Sequence, residues 1–255
     1  MTAMTTMTAM TETGATPTRA TAEEQWLPAL RGVAAVLVIA SSIVQLVFAR
    51  GVIPPLVAID VALIAGWIVS RSRPKAGAIT MGAASIAYLL GSGPFDAPNV
   101  AHPDSIFPFI VATAAMTAAV IGVIGFIAVL SCRMAGGGRT ALSIGTAVVG
   151  VAVVIGVAAW TMADTTPTRA GDVAIKAHNV AYQPKVVQTP GGTVDIRVSN
   201  GDFVRHTFVL DGQHMSLSIP AGKARRTAIA LQPGRYRFHC DIKGHENMEG
   251  TLVVS

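Results

Sequence analysis

At 255 residues, with 51% hydrophobic and only 13% charged side chains and a mean hydropathy of +0.54, the chain is too apolar to be an ordinary water-soluble protein. The net charge of +5 is modest, and no basic stretch is interleaved with aromatic residues, which excludes a nucleic-acid binder. Apolar residues crowd before residue 163, whereas residues 172–255 hold ten Lys/Arg, seven Asp/Glu and five of the six histidines, so two regions are adapted to two solvents.

Residues 1–26 are rich in Thr, Ala and Met, lack apolar periodicity, and read as a disordered tail. Their methionines would also suit copper recruitment, but a low-complexity or alternative-start tail explains them equally well. No compact signal peptide is visible, because acidic residues precede the first apolar run. Five stretches approach the ~20 apolar residues that a bilayer-spanning helix needs. They are 27–49, 52–70, 76–92, 105–132 and 140–162, the third short and glycine-rich. Arg71, Arg73 and Lys75 follow the second stretch and Arg133 and Arg139 follow the fourth, whereas the loop 93–104 has no Lys or Arg. The positive-inside bias then places the N-terminus in the cytoplasm and everything after Met162 outside, with Arg50 the one dissenting charge. On this topology Cys132 and Cys240 lie on opposite sides of the membrane and cannot pair.

Asp60 falls near the middle of the second stretch, and an ionisable group at that depth is a functional-site candidate. It lies as far from the outer end of its span as Ser41 does in the antiparallel neighbour. The expectation is a structural hydrogen bond from Ser41 or Ser42, with an ion or proton path as the alternative. Met81 and Met116 fall at different depths, giving no methionine ladder for Cu(I), and no stretch carries a histidine, which excludes bis-histidine haem.

Residues 163–171 form a short polar linker that reaches up to about 30 Å when extended. From Asp172 the texture changes to short runs, VAIKAH, TVDIRVS, HTFVLD, RRTAIAL, RYRFHC and GTLVVS, most with the period-two alternation of half-buried strands. Pro190-Gly191-Gly192, Asp211-Gly212, Pro220-Ala221-Gly222 and Pro233-Gly234 separate them as turns. Seven or eight short strands imply a β-sandwich, small enough that a bound metal would help to stabilise it. The fold class is therefore α + β in two domains, a five-helix transmembrane bundle followed by the sandwich over 172–255.

Blue-copper centres use two imidazoles and a thiolate with a weak axial thioether. The chain offers His206 in NGDFVRHTF, then Cys240, His245 and Met248 in FHCDIKGHENMEGTLVV. Gly244 can fold the chain back to present His245, so that three ligands share one loop and His206 comes from a neighbouring strand. With these motifs and the opening AYQPKVVQTPGGTVDIRVSNGD, residues 172–255 resemble the cupredoxins, plastocyanin-like blue copper proteins. The resemblance implies a Greek-key sandwich and one type 1 copper ion, with His206, Cys240 and His245 equatorial and Met248 axial. Two departures stand out. Only Glu246 and Asn247 separate His245 from Met248, where many members have four residues, and Lys243 replaces a proline common before the Gly-His pair.

FHCDI also resembles the His-Cys-His loop of multicopper oxidases, but Asp241 stands where the second histidine belongs. Gly244 occupies the spacing of the second cysteine of a binuclear copper site, so no oxidase chemistry, and no enzyme activity, is expected. His178, His214 and His239 read as surface or satisfied histidines, and Cys132 as a small buried hydrophobe. The first functional expectation is one-electron transfer at the outer face of the cytoplasmic membrane, with His245 as the electron port and a redox protein as partner. The alternative is extracytoplasmic copper storage, sensing or delivery, with a copper chaperone as partner. A third reading makes the bundle a transporter and the β-domain its metal-gathering accessory. Membrane lipid is a partner in every case.

Overall fold

The computed structural model describes residues 21–131 and 137–255; the tail 1–20, Cys132 and Arg133 lie outside the described residues. The first helix, α1, spans Ala22–Ile43 and continues through a π-helical turn at Val44–Phe48. It starts earlier than the sequence expectation of 27 because Thr21 and Glu24 form a reciprocal capping box, each side chain binding the other's backbone N–H. Glu23 and Glu24 thus sit at the positive end of the helix rather than in a tail, and Trp26, one turn in, is buried in the bundle.

Helices α2 (Pro54–Val69), α3 (Pro74–Val100), α4 (Ile106–Ser131) and α5 (Gly138–Met162) complete the bundle. Among the described residues four helices are long and apolar enough to cross a membrane, whereas α2, at 16 residues, is a shorter apolar helix. The expected lengths are therefore exchanged. The third stretch, expected to end at 92, is a 27-residue helix that absorbs most of the predicted loop 93–104. Asp96 explains part of this: two turns beyond Tyr88 on the same helix face, it accepts the Tyr88 hydroxyl at 3.0 Å, satisfying both polar groups without leaving the helix.

Small residues let the helices close. A side chain at Gly122 of α4 would run into Ser85 of α3, and one at Gly82 of α3 into Phe126 of α4. The first two helices are pinned in antiparallel register at two depths. Ser41 donates to Asp60 at 2.7 Å, as expected for Ser41 rather than Ser42, and Gln45 donates to Ser41 at 3.2 Å. Ten residues along each helix, Arg31 donates to Ser70 through Nε and Nη2. Outward-facing side chains such as Leu90 and Val154 are 76% and 68% exposed, apolar surface that suits lipid rather than water.

The C-terminal part contains nine strands. β1 (Val173–Ala177), β2 (Tyr182–Gln183), β4 (Gly192–Asn200) and β7 (Ala224–Leu231) form one sheet in the order β2-β1-β4-β7. β3 (Val186–Thr189), β5 (His206–Leu210), β6 (Met215–Ile219), β8 (Gly234–His239) and β9 (Glu249–Val254) form the other, ordered β3-β9-β8-β5-β6. Alternate residues Val194, Ile196 and Val198 of β4 enter a core shared with Phe208, Phe238 and Leu252 of the facing sheet. Tyr182 packs edge-on against Phe208 and Phe238, and its hydroxyl donates a hydrogen bond to the Thr207 carbonyl.

The segment 163–171 is not a free tether. Thr166 N–H donates to the Ala224 carbonyl, Ala224 N–H to Thr165 Oγ1, and Arg226 to both the Pro167 carbonyl and Asp172. The end of α5 is also tied to the domain, with Trp160 Nε1 donating to the Ala221 carbonyl at 3.0 Å and Lys223 Nζ 4.3 Å from the Trp160 ring. The Phe107 ring of α4 meets that of Phe203 at a tilt of 49° with centroids 6.4 Å apart, and Lys243 lies over the Phe95 ring of α3. These contacts turn the loop end of the sandwich toward the bundle.

Candidate metal centre

β4 ends at Asn200, whose buried side-chain amide donates to the carbonyls of Val204, Ile219 and Pro220 while its oxygen accepts from Asp202 N–H. This clasp fixes the loop that delivers His206 to the start of β5. Asp202 accepts from the backbone N–H groups of Asn179 and Val180 at 2.8 and 3.0 Å and contacts His206 Nε2 at 2.9 Å. Burial pushes the Asp202 carboxyl up, but these donors outweigh it and hold the group below its ordinary value. A carboxylate on Nε2 fixes the proton there and leaves Nδ1 as the ring's free lone pair. Nδ1 of His206 is buried with no hydrogen-bond partner among the described residues.

Cys240 follows β8, and its backbone N–H donates to the Met248 carbonyl at 3.0 Å, closing the loop between them. Within that loop Gly244 adopts φ +94°, a conformation that strains any residue with a Cβ, and turns the chain so that His245 points back. Met248 N–H donates to the His245 carbonyl at 2.8 Å, and the Met248 side chain is fully buried in the sandwich core. His245 Nδ1 lies 3.5 Å from Cys240 Sγ, and the His206 and His245 rings are 4.9 Å apart. One ligand atom from each of His206, Cys240 and His245 falls within 4.8 Å of the other two. The structure thus gathers three of the four expected residues, with Met248 tied by its backbone to two of them.

Burial holds both imidazoles below the ordinary histidine value, and His245 is lowered to about 4, first by burial and then by the neighbouring His206. Both rings are therefore neutral near pH 7, the state in which they can bind metal. Thr207 turns its backbone N–H toward Cys240 Sγ at 3.5 Å, while its hydroxyl lies 2.6 Å from Asp241 Oδ1. The donor set and the orphaned nitrogen fit a soft, imidazole-binding metal such as copper. His239, one residue before the thiol, is instead 2.9 Å from Asp211, and His178 sits 3.5 Å from Asp202. Asp202 and Thr207 were not among the residues singled out from the sequence, although Asp202 lies inside the Asn-x-Asp-x3-His segment that was.

Residues 151–254 match the family model described as a cupredoxin-like domain. The chain carries a cupredoxin-like domain. The match extends into α5, beyond the start of the sandwich. Similar solved structures include the metal-binding domain of the Cu(I)-exporting P-type ATPase of Streptococcus pneumoniae D39, at 16% identity over 36% of this chain and 93% of that one, TM-score 0.30. An amicyanin variant with Cu(I) aligns at 18% identity over 34% and 85% of the two chains, TM-score 0.29. A copper-containing nitrite reductase from Thermus scotoductus SA-01 aligns at 23% identity over 37% of this chain but 24% of its own, TM-score 0.28. No curated protein matches the sequence.

The His245 edge of the cupredoxin-like domain is not bare. It borders a cavity of about 500 Å³ shared with the bundle, whose far wall includes Val44, Phe48, Val111 and Ala112.

Proposed function

We propose that the chain is a membrane-anchored type 1 copper protein that carries single electrons at the outer face of the cytoplasmic membrane, and is not itself an enzyme. His206 Nδ1, Cys240 Sγ and one His245 nitrogen would hold the ion, with the Met248 thioether as a further, weaker donor. Copper, when bound, supplies a one-electron couple. The protein's own groups do the rest. Asp202 sets the His206 tautomer, the Thr207 N–H turned toward the thiolate tempers its charge, and the aromatic core excludes water. In this reading α2 also crosses, antiparallel to α1, so that the N-terminus is cytoplasmic and the β-domain outside.

The observation that carries the proposal is the His206-Cys240-His245 cluster with a buried, unpartnered nitrogen turned loose by a carboxylate on the other side of the ring. It is tested by metal analysis with optical and EPR spectra of the purified full chain. One copper per chain and an intense visible band, bleached reversibly by reductant and lost in Cys240→Ser, are expected. A colourless site that prefers Cu(I) and exchanges it with a chaperone would assign copper handling instead, and a band surviving Cys240→Ser would refute the ligand set.

A further inference from the structure

Asp60 in α2 and Arg50 at the corner between α1 and α2 belong to one chain of contacts that ends at His206. Its pivot is the buried Gln45. The Gln45 side-chain amide donates to Ser41 at 3.2 Å and reaches Asp60 at 3.5 Å. Its side-chain oxygen accepts from Ile53 N–H at 3.0 Å, and its backbone carbonyl from Gly51 N–H at 2.9 Å. Both acceptors clamp the corner, where the helix widens into its π-helical turn and Arg50 adopts φ +48°. Held there, Arg50 Nη1 donates to Asn179 Oδ1 of the sandwich.

Asn179 and Val180 are also left-handed, at φ +55° and +53°, a conformation that asparagine tolerates and a β-branched valine resists. The strained pair aims two successive N–H groups at the Asp202 carboxylate, which holds His206 Nε2 at 2.9 Å. A strained turn keeps its shape only where its surroundings over-determine it. Here His178 and Ala181 bind each other's backbone from within, and Arg50 grips the turn from the bundle. We infer that Arg50 is a positioning residue of the metal centre. It acts as a strut that holds the Asn179–Val180 turn in the conformation that fixes Asp202, and through Asp202 the His206 ring. The Asp60–Ser41–Gln45 cluster is the footing of that strut. This role deepens the proposed function and rests on it for the identity of the ion alone.

The test uses the full chain in detergent and compares Arg50→Ala, Arg50→Lys, Asn179→Gly and the combination of Arg50→Ala with Asn179→Gly. Arg50 is exposed, so its loss leaves the fold intact. In Arg50→Ala, amide hydrogen exchange of the 178–181 segment should quicken in the apoprotein. Cu(II) binding, measured by chelator competition, should weaken about three- to fivefold, the scale of one exposed charged contact. Arg50→Lys keeps a cationic donor and should recover most of both. Asn179→Gly removes the acceptor while suiting the left-handed backbone, so adding Arg50→Ala to it should change nothing further. Wild-type exchange and affinity in Arg50→Ala would overturn the role. So would an equal loss of affinity with and without the Asn179 side chain, which would make Arg50 a distant charge rather than a strut. A wild-type chain that takes up no copper would sink the metal reading alone, and exchange in the apoprotein would still decide the strut.

Discussion

Replacing Asp202 with alanine isolates the part of the centre that touches no metal. The carboxylate, 8% exposed, accepts from Asn179 N–H at 2.8 Å and Val180 N–H at 3.0 Å and holds His206 Nε2 at 2.9 Å. Asn179 is exposed and water can replace its bond, so the loss concentrates on the Val180 amide and the imidazole. A hydrogen bond to a charged group contributes about 1.5–3 kcal/mol, so apoprotein stability should fall by about 2 kcal/mol. Copper affinity should fall about 10–100-fold, the usual loss when the carboxylate behind a metal-binding histidine is removed. Asp202→Asn keeps one acceptor oxygen and should fall between wild type and alanine in both respects. Chelator competition for Cu(II) measures the affinity, and urea unfolding of the apo and loaded protein measures the stability. Wild-type copper affinity in Asp202→Ala would show that packing alone holds the ring, and the tautomer argument would fail.

Phe238 is fully buried between Tyr182 and Phe208, so Phe238→Ala should cost about 3–5 kcal/mol in urea unfolding of the β-domain; a loss under 1 kcal/mol would mean the core collapses around it. The Asp172 carboxyl, hydrogen-bonded to Arg226, titrates near 2 instead of 3.8, so the pair stabilises the fold above about pH 4 and this contribution is lost as pH falls through 2. Acid titration of Asp172→Asn should therefore show a flatter stability profile between those pH values than wild type, and an unchanged slope would contradict the pairing. Gly122→Val places a side chain against Ser85, and should lower the thermal transition of the bundle in detergent while the copper band of any surviving folded protein keeps its position.

The clustering of His206, Cys240 and His245 was legible because metal chemistry restricts residue type and spacing together: a thiol, an imidazole and a thioether within nine residues, from Cys240 to Met248, form a donor set with few other readings. The long strands β4 and β7 were legible for a similar reason, because TVDIRVS and RRTAIAL carry a clear two-residue period or nearly so. β2 was missed because two residues have no period, but Met215-Ser216-Leu217-Ser218-Ile219 in β6 does alternate and could have been found. The extent of α3 was hidden by Pro94, Asp96 and Pro98, which read as loop residues until the Tyr88–Asp96 bond shows how the helix accommodates its acid. The roles of Asp202 and Thr207 depend on which turn meets which ring, a relation between segments 22 residues or more apart, from Val180 to Asp202 and from Thr207 to Cys240, that no local pattern encodes.

The stitched segment after α5 has a mechanical consequence. A nine-residue flexible leash would let the β-domain sweep a hemisphere and shuttle between distant sites by diffusion. With Thr165, Thr166 and Pro167 sewn to β7 and strand β4, and Trp160 gripping the Ala221 turn, the last helix and the sandwich move as a single lever. A tilt of α5 would then be felt directly as a rotation of the sandwich attached to it.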